Sequence, residues 1–125
     1  MCSQFELGKS YSREEIHDAL GGSLEDYLPR SMGRVVCACL TREANPDAPH
    51  VVLPGAGPNM MAAADQLSQQ DDPFPVFIKK RAKEWVYVGM FERIGEKRSP
   101  KYVVPHARKT KRSDITRVIY FREVG

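Results

Sequence analysis

The chain is 125 residues long, 42% hydrophobic and 28% charged, which fits one domain spanning 1–125 with a single hydrophobic core. It contains no apolar run of membrane-spanning length, and the opening MCSQFELGKSY lacks the basic start and apolar core of a signal peptide, so a cytoplasmic protein is expected. The net charge of +3 hides a polarity: residues 1–78 hold five Lys/Arg against eleven Asp/Glu, and residues 79–125 hold fourteen against five. That asymmetry points to a polyanionic partner for the C-terminal half, although a basic half neutralising an acidic one within the fold leaves the same signature.

The clearest helix runs from Tyr11 to Gly22. Ser12 and Glu15 form a capping box, Glu14 and Glu15 lie at the positive end of the helix dipole, and Gly21 or Gly22 supplies the left-handed stop. Ile16, Ala19 and Leu20 share its inward face, with His17 at the edge as a packing residue. Residues 23–33 read as a loop. The apolar run Arg34–Leu40 reads as one strand buried on both faces, with Cys37 and Cys39 as buried thiols on one side of it. Cys2 completes an odd set of three cysteines whose spacing does not suit zinc.

Asn45–Pro58, NPDAPHVVLPGAGP, holds four of the nine prolines and two of the nine glycines. Each proline fixes φ and removes a backbone donor, so the stretch is expected as a stiff loop walling off the end of a sheet. Asn59 then caps a short helix over Met60–Gln69, with Met61, Ala64 and Leu67 inward. FPVFIKKR (74–81) and EWVYVGMFERI (84–94) read as two strands joined by a turn at Arg81–Glu84. Trp85, Tyr87, Gly89 and Phe91 alternate with Val86, Val88, Met90 and Ile94, and Gly89 marks a bend or a close backbone approach. Gly95–Arg98 reads as a turn, 101–104 as an edge strand ended by Pro105, His106–Ser113 as a basic loop, and Ile115–Val124 as a final strand. The fold expected is α+β: a small, strongly bent antiparallel sheet or partly open barrel with two short helices, an open sandwich of the same strands being the alternative.

Enzyme motifs are sparse. Leu53–Pro58 contains Gly-x-Gly but neither a third glycine nor the Lys-Ser/Thr of a phosphate loop. His17, His50 and His106 are isolated, so no metal and no cofactor is expected. Asp47 and His50, three residues apart, are the candidates for an acid/base pair. Nucleic-acid binding has more to draw on. Lys79, Lys80, Arg81 and Lys83 surround a hairpin tip, and Lys109, Lys111 and Arg112 lie in the basic loop, both suited to phosphates. Trp85 and Tyr87 offer faces on which a base stacks.

Phe5-Glu-Leu-Gly-Lys-Ser-Tyr-Ser-Arg-Glu-Glu-Ile-His17, followed by Gly21-Gly22, resembles the opening of SRA-like (SET and RING associated) domains. The Asn45–Pro58 loop, Pro75-Val-Phe-Ile-Lys79 and Trp85-x-Tyr-Val-Gly89 look similar to segments of the wider PUA-like group. The resemblance implies a curved-sheet domain that reads modified bases in DNA, or modified or structured RNA, with the base gripped between aromatics. In such proteins an HNH nuclease often follows; this chain has no nuclease half, so cleavage in a restriction setting would fall to a separate subunit. The expected base pocket lies between Asn45 and Asp47 on the loop and Trp85 or Tyr87 on the strand. The rival expectations are a PUA-like nuclease using Asp47 and His50, and an adaptor for an acidic protein.

Overall fold

The computed structural model describes residues 4–124. A two-residue strand, β1 (Ser10–Tyr11), leads directly into α1 (Arg13–Leu20), so Tyr11 belongs to the sheet and not to the helix. The capping box forms: Ser12 Oγ accepts from the Glu15 amide at 3.1 Å, and the Glu15 carboxylate accepts from the Ser12 amide at 2.9 Å. Ile16 is buried while Ala19 is exposed, which leaves a narrower inward face than expected. His17 is exposed, its Nδ1 2.6 Å from the Gly22 carbonyl.

The segment expected as a loop at 23–33 contains half of a small hairpin, β2 (Arg30–Ser31) and β3 (Arg34–Val35). Met32 and Gly33 turn it with φ of 53° and 77°. The run from Arg34 to Leu40 is thereby split, and β4 covers only Ala38–Leu40. Gln70 explains the split: its side chain accepts from the Val35 amide at 2.5 Å and donates to the Val35 carbonyl at 3.0 Å, occupying both backbone groups.

The proline loop is not devoid of secondary structure, since Val51–Val52 form β5. Gly57, not Asn59, is the N-cap of α2 (Pro58–Leu67), and Pro58 takes the first helical position, where its missing N–H costs nothing. Ala63, Ala64 and Leu67 face inward; Met61 points out. The strands β6 (Phe74–Arg81) and β7 (Glu84–Lys97) form the long central hairpin. In β7 the strand continues through Gly95, which pairs with Tyr120, so the turn expected at 95–98 does not form.

The edge strand expected at 101–104 and the first part of the basic loop expected at 106–113 are replaced by α3 (Pro100–Thr110), while 111–113 remain a loop. Pro100 sits in its first turn, Pro105 lies inside it, and Lys111 ends it in the left-handed conformation at φ 60°. Burial decides the matter: Val103 and Ala107, one helical turn apart, pack on Leu53, Ile115 and Val118. The last strand is β8 (Val118–Glu123).

The main sheet has the order β4-β6-β7-β8-β5, with β1 alongside β7. One flank of the 14-residue β7 is shared, β1 pairing at Trp85 and Val86 and β8 at residues 91–97. β4 runs parallel to β6 and the other pairs are antiparallel, so the sheet is mixed. The protein is therefore an α+β domain with three helices, and its described strands do not close into a barrel. Gly89 permits a bend no other residue takes easily: its φ is 127°, and a Cβ there would lie 3.1 Å from the Glu123 carboxylate. The larger core cluster lies between the sheet and α2, around Leu40, Leu67, Val76 and Phe91. A second, aromatic cluster gathers Phe5, Tyr11, Phe77, Trp85 and Tyr87 with Ile16 of α1.

Candidate nucleic-acid interface

The hairpin and the capping box together build a basic cleft around the only tryptophan. Trp85 stands one residue into β7, with Lys79 as its cross-strand partner on β6 and Tyr11 on the other side. Arg13, the first residue of α1, brings its guanidinium carbon to 5.2 Å from the Trp85 ring centroid, and Lys79 Nζ lies at 5.8 Å. Both are within cation–π range. Arg13 is fixed there because its Nη2 donates to the carbonyls of Ser23, at 3.0 Å, and Asp26, at 2.8 Å.

Opposite Trp85, Ala44 and Asn45 from the proline loop and Met60 from α2 complete a concavity of about 370 Å³. That lies within the range of small-ligand sites and is large enough for one nucleoside. Tyr27 and Leu53 supply apolar wall, and the Tyr27 hydroxyl donates to the Met60 carbonyl at 2.7 Å. Burial raises the Tyr27 pKa well above the ordinary phenol range, so the hydroxyl stays neutral. Cys39 also lines the cleft, with its sulfur 3.9 Å from that of Cys37. The hydrogen bond shared with Cys39, together with burial, pushes the Cys37 thiol up.

The four residues expected to form a base pocket divide into two pairs. Asn45 and Trp85 line the same cleft, although both are largely buried, at 5% and 9% exposure, so each presents only a small part of its side chain there. Tyr87 does not reach it: the ring is buried, tilted against Phe5 and Phe77 with centroids 5.6 and 5.5 Å away. Asp47 faces elsewhere, its carboxylate accepting from Lys109 Nζ at 3.1 and 3.3 Å. The polar atoms of Asn45 are engaged in holding the loop, since Oδ1 accepts from the Leu53 amide at 2.8 Å and Nδ2 donates to the Thr41 carbonyl at 3.2 Å. Asn45 shapes the wall and has little left for a base edge.

The basic residues separate in the same way. Lys79, Lys80, Arg81 and Lys83 are exposed along the β6–β7 hairpin, with Arg81 lying 3.5 Å from Glu84. Lys109 and Lys111 are exposed at the end of α3, where Lys109 holds Asp47. Arg112 is a clamp. Its Nη1 donates to the carbonyls of Ala44 and Leu53 at 3.0 and 2.9 Å, and Nε and Nη2 bind both oxygens of Asp114 at 2.8 and 3.1 Å. Those bonds hold the Asp114 carboxyl below its usual range against the opposing effect of burial. Gly55 makes room for the pair, since a Cβ there would sit 2.6 Å from the Asp114 carboxylate. Four bonds make Arg112 a brace between α3 and the proline loop, not a free phosphate contact.

An acid/base pair at Asp47 and His50 is not assembled, because Asp47 is held by Lys109 while the His50 ring packs edge-on against Phe91 at 5.6 Å. Among the described residues, no group of three or more His, Cys, Asp or Glu side chains is arranged to hold a metal ion, and no helix is long and apolar enough to cross a membrane. Arg13 is the cleft residue that sequence reasoning passed over as a ligand contact. A single arginine in a first helical turn carries no clustering signal, and only the Tyr-x-Arg spacing of the opening motif marked it out.

No curated protein and no solved structure matches the chain. The family model described as a domain of unknown function, DUF6697, matches residues 10–120, from β1 to the middle of β8, and the chain belongs to that family.

Proposed function

We propose that the domain binds nucleic acid, holding one base in the cleft against Trp85 while backbone phosphates lie along the β6–β7 hairpin. The observation that carries this reading is the concavity beside Trp85, with two cations, Arg13 and Lys79, within 6 Å of the indole ring. Aromatic stacking contributes about 1–3 kcal/mol per base, and lysine contacts add affinity without sequence preference. The reading extends to an SRA/PUA-like reader of a modified base, most simply in DNA. In support, Tyr11 and Arg13 of the opening motif lie directly beside Trp85. A nuclease acting with it would be a separate subunit. A cytoplasmic setting belongs to the same proposal and agrees with the free thiols of Cys37 and Cys39.

Trp85 provides the test, because a single tryptophan reports its own occupancy. Titrating the protein with short DNA and RNA oligonucleotides, carrying plain or methylated cytosine, should quench its fluorescence, with affinity falling steeply as salt rises. No quenching and no change in anisotropy of a labelled oligonucleotide at low salt would overturn the reading.

A further inference from the structure

The cleft is not alone. A second concavity of about 390 Å³ adjoins it toward the hairpin tip, and five residues, among them Arg13, Lys79 and Trp85, line both. Trp85, only 9% exposed, and its two cations therefore border both an inner and an outer space. The outer space adds Glu14, Ala82 and Lys83 and is more open and more polar than the inner one. Its charges nearly balance: Arg13, Lys79 and Lys83 face Glu14 and Glu25, leaving one net positive charge. A run of phosphates does not suit such a site, but a single phosphodiester with its sugar does, because the cations bind its oxygens and the carboxylates exclude a second anion.

We infer that the site takes two consecutive units of a nucleic-acid chain, a base in the inner cleft and the phosphodiester and sugar of its neighbour in the outer one, with the exposed part of Trp85 at their junction. This rests on the nucleic-acid reading above. Lys83 lines the outer space and not the inner one, and its exposed side chain leaves the chain at the hairpin turn, where its φ is 66°.

The test compares deoxynucleosides, which fill the inner cleft alone, with the matching dinucleoside monophosphates, using Trp85 fluorescence. Dinucleotides should bind about tenfold or more tightly, the contribution of a charge-assisted bond to one phosphate. Lys83→Asn, a residue that tolerates positive φ, should remove most of that gain. Glu14→Gln, which deletes a carboxylate found only in the outer space, should increase it. Equal affinity for nucleosides and dinucleotides, or a dinucleotide affinity unmoved by both variants, overturns the second subsite and leaves the base cleft standing. Loss of all binding, oligonucleotides included, overturns the nucleic-acid reading itself.

Discussion

Arg13 and Trp85 come from opposite ends of the sequence's first two-thirds, yet the guanidinium carbon lies 5.2 Å from the indole centroid. Two backbone carbonyls hold the arginine there, so it is oriented before any ligand arrives. Arg13→Lys keeps the charge but loses the planar guanidinium, whose Nη2 bonds both carbonyls while its carbon lies over the indole. We expect oligonucleotide affinity to fall about tenfold and stability by about 1–2 kcal/mol. Trp85 titration and a thermal melt read the two effects separately.

Lys80 and Arg112 are both basic and belong to different parts of the architecture. Lys80→Ala should lower affinity equally for all sequences and reduce the log–log salt slope by roughly 0.7–0.9, with an unchanged melting temperature. Arg112→Ala should act on the fold, because it strips partners from the Ala44 and Leu53 carbonyls and from Asp114. A loss of about 2–3 kcal/mol in urea unfolding is expected. If Arg112→Ala instead changes only the salt slope, its role as a brace is wrong.

Asn45 ties the proline loop from inside. Asn45→Ala leaves the buried Leu53 amide without an acceptor, which costs about 1–3 kcal/mol. Faster hydrogen exchange at the Leu53 amide, with exchange at the β6–β7 hairpin unaltered, is the expected signature.

Glu96 contributes to the acid limb of stability. Burial alone would raise its pKa, but hydrogen bonds from Arg98 and Arg93 and the nearby charge of Arg117 outweigh it, and the pKa lies below the usual value. Arg117 is only 2% exposed and depends on Glu96 at 3.6 Å and Asp65 at 2.9 Å. A depressed carboxyl contributes stability that is fully present above its unfolded pKa and is lost as pH falls through the folded one. Glu96→Gln should therefore cost about 1–3 kcal/mol at neutral pH, Arg117 keeping Asp65 as a partner, and flatten the stability profile below about pH 4.5. Chemical denaturation across that range measures both. A profile as steep as that of the unmodified protein would assign the acid sensitivity to another carboxylate.

Local chemistry determined those parts of the protein in which one short segment carries its own instruction. The Ser12/Glu15 capping box starts α1 because both donors and both acceptors lie within four residues. The apolar run that opens 74–81 and the alternating faces of 84–94 specify a hairpin, and Ala82–Lys83 turn it. The buried Cys37–Cys39 pair follows from a two-residue spacing on an extended chain. Tertiary structure decided what depends on a partner far along the chain. Residues 101–104, KYVV, have the composition of an edge strand, but packing Val103 and Ala107 against Leu53, Ile115 and Val118 requires a helical spacing, and that gain outweighs local preference. Gln70 splits the run from Arg34 to Leu40 from 35 residues away. The cleft is the same kind of product: Arg13, Asn45 and Trp85 meet only when α1, the proline loop and β7 pack together, and the bonds that aim Arg13 and Asn45 run to carbonyls and amides that no local pattern identifies.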